Sequence, residues 1–303
     1  MNTLQRERLQ SLVNRAIEWD CPLREYTSFG IGGPAEALVN IENLMELQRV
    51  LHLCSKENIS CRVMGRGTNI LIKDEGLSGV VLLLVDEFKK VKTEERKESI
   101  VLEVGAGHSF SALSSMCMEQ GYSGLEFAIG IPGSIGGAVI MNAGAWGGSI
   151  ADAVLEIELQ TAGGAKKICK EDLHFGYRSS KIDVQSPFVI SSVTLALHRG
   201  DIETMRAQCR GYLEKRRNSQ PAGPGNAGSF FKNPKGDSAG RLIDASGMKG
   251  VSVGDAEISI KHANFIINRG SASAGDIIQL MERVIDKVYR DSGIRLEPEV
   301  QIW

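Results

Sequence analysis

A hydroxyl, a guanidinium and a carboxylate stand out in this chain because each lies where its chemistry is usable. Ser229 sits in GNAGSFFKNP (225–234), between a flexible glycine and two phenylalanines, with Lys232 and Asn233 close by. A serine so placed can give or take a proton. A nucleophilic serine for acyl transfer wants GxSxG and a histidine base; that spacing is absent, and none of the five histidines is marked out as a partner. Arg178 follows Tyr177 in HFGYRSSKI (174–182), just ahead of an apolar run, and its planar fork suits a carboxylate or a phosphate. Glu299 shares one face of an alternating C-terminal run with Glu297. Each has a plainer reading beside it: a turn-forming serine, a solvated surface arginine, an exposed strand glutamate.

Glycine supplies a second kind of chemistry. Nine glycines fall in the twenty-eight residues from Gly121 to Gly148, GYSGLEFAIGIPGSIGGAVIMNAGAWGG, and Lys and Arg are absent from that stretch. Main-chain amides in such a turn, or at the first turn of a helix, can receive a phosphate or pyrophosphate without a charged side chain. FGIGG (29–33) and MGRGTNILI (64–72) add two more glycine turns, and in the latter Thr68 and Asn69 offer short polar side chains. Neither GxxxxGK[ST] nor a GxGxxG opening a helix after a strand is present, so a P-loop and a Rossmann pyrophosphate site are both excluded.

The elements that must position these residues are short. Ser60–Met64, Val80–Val85, Ile100–Val104, Val154–Leu159 and Phe188–Leu197 read as strands, several of them rich in Val and Ile. Leu44–Cys54 and Ser111–Glu119 read as helices between them, without the βαβ repetition of a doubly wound fold. Residues 1–19 read as a charged amphipathic helix. Near residue 200 the composition shifts to a basic helix and then the loop PAGPGNAG, which places a domain boundary there. Ser273 and Asp276 form a capping pair for a helix with Ile277, Ile278, Met281, Val284, Ile285 and Val288 on one face, ended by Gly293. The final IRLEPEVQIW alternates, and Pro298 makes it an edge or irregular strand.

At 303 residues and 42% hydrophobic content the chain can fill two domain cores, and a formal net charge of −2 gives no general field for nucleic acid. Six scattered cysteines without a CxxC pair, and a polar N-terminus without a signal-peptide core, point to a reducing cytoplasm. The longest apolar run, Val80 to Val85, is far too short for a membrane span. No metal site is read, and the sequence leaves the oligomeric state open, a monomer included.

In this order, TSFGIGGPAE, MGRGTNILI, IPGSIGGAVIMNAGAWGG, FGYRSSKI, GNAGSFFKNP and LEPEV resemble the UDP-N-acetylenolpyruvoylglucosamine reductases, the MurB flavoenzymes of bacterial peptidoglycan synthesis. The resemblance runs from about residue 22 to the end. It implies an α+β chain: beyond the N-terminal helix assigned to residues 1–21, which lies outside the resemblance, an FAD-binding domain of the vanillyl-alcohol-oxidase (PCMH) type over 22–199 and a smaller C-terminal α/β substrate domain over 200–303. FAD is then bound without a covalent link and NADPH is the reductant. The glycine-rich loop agrees, since it offers neither His nor Cys as a tether. Gly65, Arg66, Gly67, Thr68, Asn69, Ile131, Pro132, Gly133, Ser134, Gly136, Gly137 and Ala138 match the positions that would surround the cofactor.

Carried over residue by residue, Arg178, Ser229 and Glu299 match the family's catalytic arginine, serine and glutamate. Tyr177, Asn233 and His262 match positions near the substrate. The implied reaction converts UDP-N-acetylglucosamine enolpyruvate to UDP-N-acetylmuramate: hydride passes from flavin N5 to the enolpyruvyl β-carbon and charge flows into the carboxylate. Arg178 and a protonated Glu299 stabilise that charge, and Ser229 protonates the α-carbon. One departure concerns subclass. The stretch from Phe188 to Ser229 is short and holds a single tyrosine, Tyr212, so the chain resembles the shorter type without an inserted tyrosine lid. The terminal VQIW also departs from the family's glycine-ended tail. Two other readings accompany this one: an FAD-dependent oxidase of a small alcohol or sugar, and a non-catalytic nucleotide-binding module.

Overall fold

The computed structural model describes residues 1–97, 99–184, 187–223 and 225–303. They form two compact units. The first comprises Met1–Trp19, Glu36–Gly65 and Ser78–Glu214, the second Asp20–Ala35, Arg66–Leu77 and Lys215–Trp303. The chain thus interleaves, whereas composition suggested one cut near residue 200. Packing supplies the reason: in the second unit the two early segments bond to C-terminal ones. Asn268 Nδ2 donates to Phe29 O at 3.0 Å, Lys73 N to Trp303 O at 3.0 Å, and Ala274 N to Asp74 Oδ1 at 2.9 Å. None of these long-range contacts leaves a mark in local composition.

The first unit is built round an antiparallel sheet with strands in the order Gly164–Cys169, Val154–Thr161, Phe188–Arg199, Ile100–Gly105, Val91–Glu95; Tyr122–Ser123 also pairs with Phe188–Arg199. Val193 faces Ile157 on one side and Val104 on the other, so β-branched residues meet across three neighbouring strands in a buried core. A second sheet runs in the order Glu18–Pro22, Pro34–Ile41, Leu77–Leu84, Cys61–Val63, with the last two strands parallel.

Six helices accompany these sheets among the described residues: α1 (Thr3–Ser11), α2 (Leu44–Lys56), α3 (Phe110–Gln120), α4 (Ile135–Ile140), α5 (Ile150–Ala153) and α6 (Ile202–Ser219), the last running on past the division at residue 214. α2 buries Leu47, Val50, Leu51 and Cys54, the i, i+3, i+4, i+7 face of an amphipathic helix, and Asn43 caps it by accepting from Glu46 N at 3.0 Å. α3 repeats the device with Ser109 as cap and Gly121 at φ 70° as its stop.

The expected N-terminal helix over 1–21 is corrected. α1 ends at Ser11, and Glu18–Pro22 is a strand. Leu9 is the one buried residue of α1, a helix too polar to extend by packing, while Ile17 and Cys21 reach cores in an extended segment. Sheet pairing overrides a helical pattern made mostly of charges. The strands Pro34–Ile41, Val91–Glu95 and Gly164–Cys169 were also not foreseen.

In the second unit α8 (Ala274–Ser292) packs on a small sheet of Ser252–Val253, Ala256–Ile258 and Ile266–Asn268, and α7 (Ala239–Ala245) packs against α8. α8 carries the expected Ser273/Asp276 capping box, ends on Gly293 at φ 71°, and buries Ile277, Leu280, Met281, Val284, Ile285 and Val288. The C-terminal run buries Leu296 and Val300 in alternation, and its strand proper is Gln301–Ile302, parallel to Ile70–Leu71. No helix among the described residues is long and apolar enough to cross a membrane.

Candidate active site

In the first unit the glycine-rich segment folds back on the start of α3. Ser134 forms an isolated bridge with Ser109, Phe110 N donates to Gly133 O at 3.1 Å, and Ile135 N donates to His108 O at 2.9 Å. Ser134 then caps α4 through its hydroxyl, which accepts from Gly137 N at 3.3 Å. Gly136 N goes to Ala106 O at 2.9 Å and Ala138 N to Ser134 O at 2.8 Å. Four successive amides, 135 to 138, are therefore engaged within the protein. Gly133 N and Ser134 N have no acceptor among the described residues, and Ser134 is 5% exposed. A buried amide without an acceptor is costly unless a ligand meets it.

Gly65 joins this place. A Cβ on Gly65 would lie 2.5 Å from Ser134 Oγ, so only glycine lets the end of the MG dipeptide pass the cap. Gly65, Ile131, Pro132, Gly133, Ser134, Gly136, Gly137 and Ala138 are thus gathered in one unit, with Gly133 and Ser134 presenting the open amides. Pro132, which has no N–H, restricts the turn before them. The close approach of Gly65 to Ser134 and the two amides without an acceptor suit an anionic cofactor group.

Arg178 and Tyr177 occupy the tip of a tight turn closed by Gly176 N donating to Ser179 O at 2.9 Å. Arg178 has φ 54°, a left-handed backbone that costs a non-glycine residue about 1–3 kcal/mol. Its guanidinium is half-buried; Nη1 donates to Gly144 O at 2.8 Å and Cζ lies 5.5 Å from the Tyr177 ring centre. Asn142 Nδ2 also holds this turn, donating to Gly176 O at 2.8 Å. A solvated surface arginine has no such strain or anchoring.

Ser229, Glu299, Asn69, Asn233 and His262 belong to the second unit. Glu299 N donates to Phe230 O at 2.8 Å, and Phe231 bridges to Pro298, so the Ser229 segment runs antiparallel beside LEPEV. Ser229 and Glu299 thereby come to neighbouring segments although seventy residues separate them in sequence. Asn69 braces the same place from a third segment: its Nδ2 donates to Glu299 O at 3.3 Å, and its carbonyl accepts from Gln301 N at 3.0 Å. Asn69, expected near the cofactor, thus also holds the Glu299 backbone. Gly67, at φ 61°, closes the turn; a Cβ there would meet Tyr26 O at 2.0 Å. Arg66 is exposed and Thr68 half-buried. Asn233 Oδ1 accepts from Ala239 N at 3.0 Å, at the start of α7.

His262 is half-buried against the Phe265 ring, 4.9 Å between centroids, and its Nδ1 accepts from Asn264 N at 3.2 Å. The neutral ring therefore carries its proton on Nε2. Burial, with the Lys249 charge adding to it, lowers its pKa from the ordinary value.

Two residues escaped the sequence reading. Asn264, 4% exposed, bonds both main-chain groups of Phe231: Phe231 N donates to Oδ1 at 2.9 Å and Nδ2 donates to Phe231 O at 2.8 Å. Its own carbonyl accepts from Phe230 N at 2.8 Å. Asn264 is thus a clamp on the two residues after Ser229; its signal was a polar residue inside the apolar run ANFII. Arg216, on α6, has a buried Nε without a hydrogen-bond partner among the described residues, while Nη1 donates to Gln220 Oε1 at 3.0 Å. Burial pulls its guanidinium below the usual arginine range. In sequence it was one cation in the run EKRRNS.

Comparison with known proteins decides the family. The C-terminal domain model of UDP-N-acetylenolpyruvoylglucosamine reductase matches residues 220–303, and an FAD binding domain model matches residues 35–169. The UDP-N-acetylenolpyruvoylglucosamine reductase 2 of Symbiobacterium thermophilum is 41% identical over 300 residues, 98% of this chain and 96% of that protein. The chain belongs to the UDP-N-acetylenolpyruvoylglucosamine reductase family. The reductase of Desulfosudis oleivorans is 40% identical over 98% of this chain and 97% of its own length. The crystal structure of the Thermus caldophilus reductase superposes with a TM-score of 0.82 at 38% identity, covering 95% of this chain and 99% of that one. An FAD-dependent oxidoreductase of this family, with an FAD-binding domain and a reductase C-terminal domain, is what the sequence motifs implied.

Proposed function

We propose that the chain reduces UDP-N-acetylglucosamine enolpyruvate to UDP-N-acetylmuramate in the cytoplasm, with NADPH as the reductant. The amides of Gly133 and Ser134, with Gly65 passing close beside them, would hold FAD, which when bound supplies the hydride that adds to the enolpyruvyl β-carbon. The electron pair of the double bond then moves into the carboxylate. Arg178 stabilises that charge with a guanidinium already fixed in direction, so little reorganisation is needed as charge develops. Glu299, in its protonated form, donates a hydrogen bond to the same developing charge. Ser229 gives its hydroxyl proton to the α-carbon, which completes the addition of two hydrogens across the double bond. A hydroxyl is a weak acid, but an enolate of a carboxylate is a much stronger base, so the transfer is downhill.

Tyr177, Asn233 and His262 line the substrate in this reading, and Arg216 meets one of its anionic groups, which would relieve a desolvated guanidinium. The observation that carries the reading is the bond from Glu299 N to Phe230 O, which sets the proton donor and the carboxylate on adjoining segments. Stopped-flow kinetics test it. Ser229→Ala should leave flavin reduction by NADPH near the wild-type rate and slow reoxidation by the enolpyruvyl substrate by about 10²–10⁴. Equal slowing of both half-reactions would remove Ser229 from the proton step.

A further inference from the structure

Two tight turns in the first unit each put a non-glycine residue at positive φ, and they are bonded to each other. One is the Tyr177–Arg178 turn. The other links Gly144–Ala145 to Gly148–Ser149 through Trp146, at φ 56°, and Gly147, at φ 90°. Glycine or asparagine is the ordinary choice for both central positions of such a hairpin; a tryptophan there is strained, and strain persists only where surrounding contacts impose it.

The contact that imposes it is visible. The Trp146 indole lies on the Tyr212 ring, 5.6 Å between centroids and 6° from parallel. Tyr212 is held in turn by α6, whose Met205 and Cys209 are buried on the same helical face, four and three residues apart from one another and from Tyr212. Gln208 Nε2 donates to the Tyr212 hydroxyl at 2.8 Å. The hairpin base is equally constrained. A Cβ on Gly148 would come within 2.7 Å of the Phe127 ring, and one on Gly144 within 2.4 Å of Gly148 O. It is the carbonyl of that same Gly144 that accepts from Arg178 Nη1.

We propose that Trp146, stacked on Tyr212, is a positioning residue for the reaction: it fixes the Gly144–Ser149 hairpin so that Gly144 O sets the direction of the Arg178 guanidinium. The proposal rests on the reading of Arg178 given above for its effect on rate. Its geometric part stands apart from that reading. Without the stack, the strained hairpin relaxes and the acceptor for Nη1 moves. A displacement of about 1 Å in a catalytic group costs up to about a hundredfold in rate.

Trp146→Gly is the informative variant, because it deletes the indole and at the same time relieves the positive φ. A structural role alone predicts a stability change; a positioning role predicts an unchanged or raised Tm together with slower chemistry. Flavin reoxidation by the enolpyruvyl substrate should fall about ten- to a hundredfold in Trp146→Gly and in Tyr212→Leu, with reduction by NADPH unchanged. Trp146→Phe, which can still stack, should recover to within about threefold. In an Arg178→Ala background, Trp146→Gly should cause no further loss. A crystal structure of Trp146→Gly should show the Arg178 Nη1 to Gly144 O bond broken. Wild-type reoxidation in Trp146→Gly, losses that multiply with Arg178→Ala, or an intact bond in that crystal would each overturn the proposal. If Arg178→Ala itself reoxidises at the wild-type rate while Trp146→Gly breaks the bond, the positioning stands and the role given to Arg178 falls.

Discussion

The turn into α4 and the segment after Ser229 solve one problem by opposite means. Around α4 the backbone is held by backbone: amides 135 to 138 go to His108 O, Ala106 O, the Ser134 hydroxyl and Ser134 O, and glycine lets the strands of chain approach closely enough for this. After Ser229 the backbone is held by one buried side chain, since Asn264 bonds both main-chain groups of Phe231. The first device leaves two amides, of Gly133 and Ser134, without an acceptor among the described residues, which is what the proposed anion site needs. The second leaves Ser229 half-buried beside two residues whose main chain Asn264 holds. A site for a cofactor can be made of peptide groups alone; a proton donor needs a side chain, and so a scaffold that fixes its χ angles and backbone together.

The sharpest way to break this contrast is at Arg178, which belongs by position to the glycine-built unit but by its proposed role to the reactive side chains. Arg178→Lys keeps the charge and loses the planar fork, so substrate turnover should fall by about 10²–10³, measured as kcat/KM at fixed flavin content. Retained turnover would show that charge alone suffices there. The clamp itself comes next. Asn264→Leu leaves the N–H and C=O of Phe231 without their partner in a buried place, and urea unfolding should register a loss of about 2–3 kcal/mol. Asn264→Leu with wild-type stability would mean that water replaces the clamp.

The backbone-built region should be more tolerant. Ser134→Ala removes one capping bond among several, at about 1 kcal/mol in stability, and should leave the ratio of flavin to protein after purification unchanged. Loss of flavin in that variant would transfer the holding role from the amides to the hydroxyl. The smallest effect concerns His262. Its folded pKa lies below the ordinary 6.5, so the unfolded chain takes up its proton first on acidification, and stability falls with pH between 6.5 and the lowered value. His262→Gln should flatten that part of the curve of unfolding free energy against pH. An unchanged slope would mean that the ring is as solvated in the native state as in the unfolded one.

Much of this was readable from residues. The Ser273/Asp276 box and Gly293 stop delimit α8 because caps act within four residues, and the alternation of Leu296 and Val300 survives although Pro298 limits the strand to its last residues. The six motifs led to the family before any fold was known. Other features were out of reach. The N-terminal charges suggested a longer helix than α1, since nothing near Glu18–Pro22 announces that Pro34–Ile41 will pair beside it. That the Asn69 amide also reaches the carbonyl of Glu299 could not be read from its place in a glycine turn.

By itself the sequence determined the local rules of this protein: where glycine permits positive φ, where capped helices such as α8 begin and end, which residue types are available for chemistry, and to which family the motifs belong. Those are properties of a few neighbouring residues and of their order. Tertiary structure alone decided which amides near α4 stay open, that Asn264 clamps the Ser229 segment, that Arg178 bonds Gly144, and that Trp146 rests on Tyr212. The physical reason is range. Caps and turns are set by bonds within a few residues, whereas hydrogen-bond satisfaction and packing depend on partners 33 to 230 residues away, which only the folded chain brings into contact.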